Sequence, residues 1–306
     1  MNRLLVRVPN WLGDLVMSLE SLSGLASRHP RTTFWAHRRV AGLLPVFFPG
    51  VPLIAAPDRP GRGEYDSLLL LTDSFRSALE GFTAGIPVRM GHSTQMRRPL
   101  LTRTLRPLKG RGHHHSLDYA RLCRLADEEP SSVPAPSAEP SGSPHIAVFA
   151  GAAFGPAKRW GGFAEVSSVL SNELGIPAVF YGRPSEAGLL SSLAADVPGS
   201  VVKTDLDLPA LCSELLSAVE ALGNDSGGIH LAAALGVPSV AVFGSTSPEW
   251  TAPRGRLTAS VAPEMECSPC FRRACSSVPA PCLASVKPET VLEACRALLG
   301  RASEVS

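Results

Sequence analysis

The run Glu129-Pro130-Ser131-Ser132-Val133-Pro134-Ala135-Pro136-Ser137-Ala138-Glu139-Pro140-Ser141-Gly142-Ser143-Pro144, followed at once by His145-Ile146-Ala147-Val148-Phe149, divides the chain. The first part is too rich in proline and serine to pack as an element and reads as a linker over 130–144. The five residues after it have the apolar continuity of a buried strand, so a second structural unit begins at 145. Working back toward the N-terminus, strands are expected at Leu4–Val8, Thr32–Ala36, Ser67–Leu71 and Pro87–Gly91, with a helix from about Leu15 to Ser27. Working forward, strands are expected near Ala178–Tyr181, Val201–Val202 and Ser239–Phe243. Short β-rich runs alternating with longer helical patterns indicate parallel sheets with crossover helices. The expectation is an α/β protein of two Rossmann-like units, 1–129 and 145–306, with a cleft between them, and 306 residues suffice for two cores.

A formal net charge of +2 with 18% charged residues argues against a general nucleic-acid binder, whose footprint is strongly basic. The charge is uneven, however. From Arg76 to Arg124 there are ten arginines and lysines, among them Arg97 and Arg98, against only Glu80 and Asp118. That excess suits either a solvated surface or an acceptor carrying phosphates or carboxylates. The apolar stretch Leu43–Ala56 is broken by Pro45, Pro49, Gly50 and Pro52, so no membrane span is expected. Arg7, Pro9, Asn10 and Asp14 interrupt the N-terminus before a signal-peptide core can form, and the seven cysteines do not resemble a secreted disulfide framework. A cytoplasmic address is expected.

Three segments carry chemistry. Asn224-Asp225-Ser226-Gly227-Gly228-Ile229-His230 opens an apolar helix: Asp225 or Ser226 can cap it, and its first-turn N–H groups face any arriving anion, such as a pyrophosphate. After the strand ending at Phe149 comes Gly151-Ala152-Ala153-Phe154-Gly155-Pro156-Ala157-Lys158, a small-residue loop whose lysine can meet a phosphate of the same ligand. Asp14 stands at the mouth of the first strand in Pro9-Asn10-Trp11-Leu12-Gly13-Asp14. By spacing alone it can cap a helix, and by chemistry it can serve as a general base. Neither G-x-G-x-x-G nor a Walker loop occurs in a strand-to-helix setting, which disfavours a nicotinamide enzyme or an ATPase.

Taken together, Val6–Asp14, Asp73-Ser74-Phe75-Arg76-Ser77-Ala78-Leu79, Gly151–Trp160 and Asn224–Gly227 through Phe243-Gly244-Ser245-Thr246 resemble, in order, the heptosyltransferases of glycosyltransferase family 9. The resemblance runs from residue 3 to about residue 292. It implies a GT-B fold and inverting transfer of L-glycero-D-manno-heptose from ADP-heptose to the heptosyl-Kdo inner core of lipopolysaccharide. No metal or other cofactor is implied. Asp14 matches the general base. Lys158 matches the lysine on the donor diphosphate; Asp225, Ser226, Gly227 and His230 match the donor-binding segment, bordered by Ala153 and Phe154, and Glu186 matches a ribose contact. Asn10, Trp11, Arg76, Arg97 and Arg98 are the candidate contacts to an anionic, lipid-anchored acceptor, reached by peripheral contact with the inner membrane. The alternatives are transfer of another nucleotide-linked sugar, and a non-catalytic nucleotide-sugar-binding protein on the same scaffold.

Four further features have plainer readings. His230 can be a packing residue instead of a ligand contact. Asp205-Leu206-Asp207 fits the D-x-D string of metal-dependent transferases, but is read as capping a helix that begins near Pro209. Cys267-x2-Cys270-x4-Cys275-x6-Cys282 has spacing that could hold zinc, against a compact loop of free thiols, and a similar cysteine-rich stretch occurs in one group of the family. Of His113-His114-His115, only His115, with Tyr119, has counterparts there; no role is assigned to either.

Overall fold

Four consecutive buried residues, Leu4–Arg7, form β1 in the computed structural model, which describes residues 3–277 and 280–304. β1 pairs in parallel with both β2 (Thr32–Ala36) and β4 (Ser67–Leu70). With β3 (Leu53–Ala55), β5 (Val88–His92) and β6 (Arg103–Leu105) the first sheet has the order β3-β2-β1-β4-β5-β6. Its inner strands are apolar without alternation because helices cover both faces.

A second sheet repeats the scheme. β7 (His145–Phe149), β8 (Ala178–Tyr181), β9 (Val201–Lys203), β10 (Ala218–Asn224), β11 (Ser239–Val242) and β12 (Thr258–Val261) lie in the order β12-β11-β10-β7-β8-β9, all parallel. Numbered within its own half, this is the same doubly wound order as the first sheet, with the switch point between β7 and β10. Its core gathers Ile146, Val148, Phe163, Phe180, Leu222, Val240 and Val291, closed by the C-terminal helix Pro288–Ser303. The first sheet packs Leu5, Trp35, Leu68, Leu70 and Ile86.

Several expectations shift in detail. The helix expected over Leu15–Ser27 is two, Leu12–Met17 and Leu19–Arg28, joined at Ser18, whose hydroxyl turns back to donate to the Leu15 carbonyl at 2.8 Å. Compact units divide between Ser137 and Ala138. Much of the proline-rich run is therefore pinned to the first unit: Ser131 N–H donates to Glu20 O, Ser23 Oγ to Ser132 O, and Ser137 N–H to Val46 O. Asp207 caps the helix Leu208–Leu215 by accepting from Ala210 N–H at 2.9 Å, as the capping reading of the D-x-D string requires.

β10 carries an unusual residue. The Glu220 side chain is fully buried where the pairing with β7 slips, and among the described residues neither carboxyl oxygen has a hydrogen-bond partner of good geometry, the weak donor Cys295 lying against it. Burial pushes this carboxyl up to about 8.

Candidate active site

Ligands of doubly wound sheets bind beyond the carboxyl ends of the strands at the switch point. In the second unit the two loops there are those after β7 and β10, and they hold Lys158 and Asp225. β10 ends in Asn224, whose side-chain amide donates to Ala150 O at 2.7 Å while its oxygen accepts from Trp160 N–H at 3.0 Å. That cross-link fixes both ends of the loop bearing Lys158. Asp225 then receives Lys158 Nζ at 2.5 Å, Thr246 Oγ1 at 2.7 Å and Thr251 Oγ1 at 3.1 Å, and lies 3.3 Å from His230 Nε2. Burial alone would raise the Asp225 carboxyl; the His230 contact and the Lys158 charge outweigh it and hold the group well below the usual carboxylate range. The carboxylate is thus an anchor for the ammonium.

The helix Gly227–Ala234 starts beside this pair. Ser226 occupies the cap position without a side-chain cap bond, and Asp225 spends its oxygens elsewhere, so neither residue caps the helix as expected. First-turn N–H groups and the Lys158 ammonium together make an electropositive corner suited to a diphosphate. Gly228 is needed there because a Cβ would meet the Phe149 ring at 2.2 Å, so helix and strand end approach as closely as backbone allows. The Phe154 ring lies 5.0 Å from Lys158 Nζ and 5.3 Å from the Arg273 guanidinium, steadying the loop by cation–π contact, while Ala153 is exposed beside it. Glu186 is buried, near Gly151, and its oxygens accept from the backbone and guanidinium of Arg183. His230 is buried too, and reaches the corner through Asp225.

At the switch point of the first unit, between β1 and β4, the charge is reversed. Asp14 lies in the first turn of the helix Leu12–Met17, its side chain 33% exposed, with Oδ1 3.8 Å from His115 Nε2. The Tyr119 hydroxyl donates to Asp14 and also lies 3.2 Å from His115 Nε2. His115 Nδ1 in turn sits 3.2 Å from Asp118 Oδ2, and Asp118 Oδ1 accepts from Leu108 N–H. Burial would raise Asp118, but His115 and the Leu108 amide draw it down to about 2. Burial, then the charges of Asp14, Asp73 and Asp118, push the Tyr119 hydroxyl well above its ordinary value, so it stays a donor. Asn10 is held by Arg7, which donates to its side-chain oxygen at 3.0 Å, and Trp11 is exposed.

Arg97 departs from expectation. It is fully buried, donating to the carbonyls of His92, Thr72 and Ser74 and to Asp73 Oδ1, so its guanidinium ties the loop after β4 to the end of β5 and is not a surface contact. Arg76 is exposed and paired with Glu80; Arg98 is exposed. The cysteines of the 267–282 cluster are spread between surface and core. Cys267, Cys270 and Cys275 are exposed while Cys282 belongs to the core, and among the described residues no group of three or more His, Cys, Asp or Glu side chains is placed to hold an ion.

Two doubly wound units in one chain, one switch point presenting a carboxylate and the other a cation at a helix N-terminus, have the architecture of GT-B glycosyltransferases. Residues 59–280 match the family described as Glycosyltransferase family 9 (heptosyltransferase), and the chain belongs to that family. It is similar to lipopolysaccharide heptosyltransferase 2 of Escherichia coli strain K12, 30% identical over 82% of this chain and 85% of that protein. The solved structure of E. coli ADP-heptose LPS heptosyltransferase II aligns with a TM-score of 0.80 at 25% identity, covering 98% of this chain and 99% of that one. A family 9 glycosyltransferase from Veillonella parvula, 20% identical over 98% of both chains, shares the fold with a TM-score of 0.82.

Proposed function

We propose that this protein transfers L-glycero-D-manno-heptose from ADP-heptose to the heptosylated Kdo inner core of lipopolysaccharide, with inversion. The observation that carries the reading is the Lys158 ammonium, held by Asp225 at the start of the helix Gly227–Ala234. An acceptor hydroxyl attacks the anomeric carbon and gives its proton to Asp14. The bond from that carbon to the diphosphate oxygen breaks, and ADP departs with the electron pair, its charge met by Lys158 and the first-turn N–H groups. Because the chain's own groups supply that positive charge, the reaction is proposed to need no metal ion. Ala153, Phe154, Ser226 and Gly227 border the donor, and Glu186 holds its ribose. Asn10, Trp11 and Arg98 contact an anionic acceptor. The first unit is assigned to the acceptor and the second to the donor, at the cytoplasmic face of the inner membrane.

Purified protein given ADP-heptose and a heptosylated inner-core acceptor is expected to add one heptose by mass and release ADP, before and after dialysis against EDTA. Asp14→Asn should lose about 10²–10⁴-fold in turnover with donor binding retained. Binding of ADP-heptose with no turnover on any core acceptor would mark a sensor instead. A faster reaction with a competing nucleotide sugar would reassign the donor.

A further inference from the structure

The segment that follows β12, residues 262–277, has neither helix nor strand, yet it is tied down across the carboxyl end of the second sheet. Ser268 Oγ donates to Gly244 O at 2.6 Å and Phe271 N–H to Ser245 O at 2.6 Å, both in the loop after β11. Arg273 O accepts from Ala157 N–H at 3.3 Å, in the loop after β7. Gly155 marks how close that last approach is. Its φ of +145° lies in the region that favours glycine, and a Cβ there would run into the Arg273 carbonyl. The backbone of Arg273 is therefore fixed against the loop that carries Lys158.

The Arg273 side chain is exposed, and its guanidinium lies 5.3 Å from the Phe154 ring centroid, the same ring that has the Lys158 ammonium at 5.0 Å. One aromatic side chain thus holds both cations. Their charges are not equally available. Lys158 is neutralised by Asp225, a carboxylate only 3% exposed and 2.5 Å away, so the pair presents little net charge to a ligand. Among the described residues neither a carboxylate nor a carbonyl takes the N–H donors of Arg273; Glu264 and Glu266, the acids of its own segment, are exposed and form no salt bridge with it.

We propose that Arg273 is the second cation on the donor diphosphate, and the one whose charge stays uncompensated until the ligand arrives. The proposal rests on the reading above that this corner holds ADP-heptose, and supplies the charge that the Lys158–Asp225 pair lacks. A diphosphate diester is a dianion, and negative charge grows on it as ADP departs. The partial charge of one helix start does not neutralise it. A guanidinium is planar and always charged, and its fork of N–H donors can meet two phosphate oxygens at once. Held at its backbone by the neighbouring loop and at its stem by Phe154, Arg273 reaches the ligand with little ordering left to do.

The test is titration of the full-length protein with ADP by calorimetry and with adenosine by ligand-observed NMR. Arg273→Ala is expected to weaken ADP about 10–100-fold, the range of a lost charge-assisted hydrogen bond, and to leave adenosine unchanged. Added salt should weaken ADP on the parent more steeply than on the variant. Arg273→Lys, which keeps the charge without the fork, should recover part of the affinity. The bonds that brace the segment come from Ser268 and from the backbone, so both variants should melt with the parent. Equal ADP affinity in the parent and Arg273→Ala would overturn the proposal. So would parallel losses of ADP and adenosine, which would make Arg273 a brace for the loop and not a phosphate contact. Failure of the unsubstituted protein to bind ADP at all would instead count against the donor reading itself, and the proposal would fall with it.

Discussion

At Asp14 the decisive partner is a hydroxyl. Tyr119 donates to the carboxylate, and donation to the charged form lowers a carboxyl pKa. Tyr119→Phe should therefore raise the pKa of Asp14 and move the acid limb of the kcat/KM profile to higher pH, with the alkaline limb in place. An unmoved acid limb would mean that Asp14 is not the group titrating there. At Lys158 the partner is a buried carboxylate, and the two should be coupled. Asp225→Ala strands an enclosed ammonium and should cost about 3–5 kcal/mol in unfolding free energy. The double variant with Lys158→Met should lose less than the sum of the single losses, as denaturant titration of all three proteins would reveal. Asp14, Lys158 and Asp225 are legible from the chain because each lies in the segment that directly follows a readable strand or opens an apolar helix. The pairings of Thr246, Thr251, His115 and Tyr119 with their carboxylates are not, since these residues reach them from 21, 26, 101 and 105 residues away, and no local pattern records such distances.

Among elements, the inner strands are readable as apolar runs, and β2, β7 and β8 fall where expected. β3, β6 and β12 escape notice because they are short edge strands with half-buried or exposed positions. β10 escapes for a different reason: Glu220 interrupts its apolar run with a carboxyl that belongs to the interior. That residue gives the fold a pH dependence. Its unfolded carboxyl titrates near 4.5 and its folded one at about 8. Between those values the folded state binds the extra proton, so stability falls as pH rises through the window. Glu220→Gln should flatten this slope, and its melting temperature should gain on the parent steadily from pH 5 to pH 8. Parallel melting curves across that range would refute the buried-proton account.

For the whole molecule, two sheets of identical order carry opposite chemistry at their switch points: a carboxylate backed by histidine and tyrosine in the first, an ammonium at a helix start in the second. The alternation of strands and helices makes the doubled scaffold legible. The division of charge between halves rests on a handful of loop residues, which is why it emerges only when strand ends are brought side by side within each sheet. Under the proposed reaction, the source and the sink of the migrating electron pair belong to separate copies of one architecture. On that reading, loop substitutions in the first half would change which hydroxyl is glycosylated, and substitutions in the second would change which activated sugar is held.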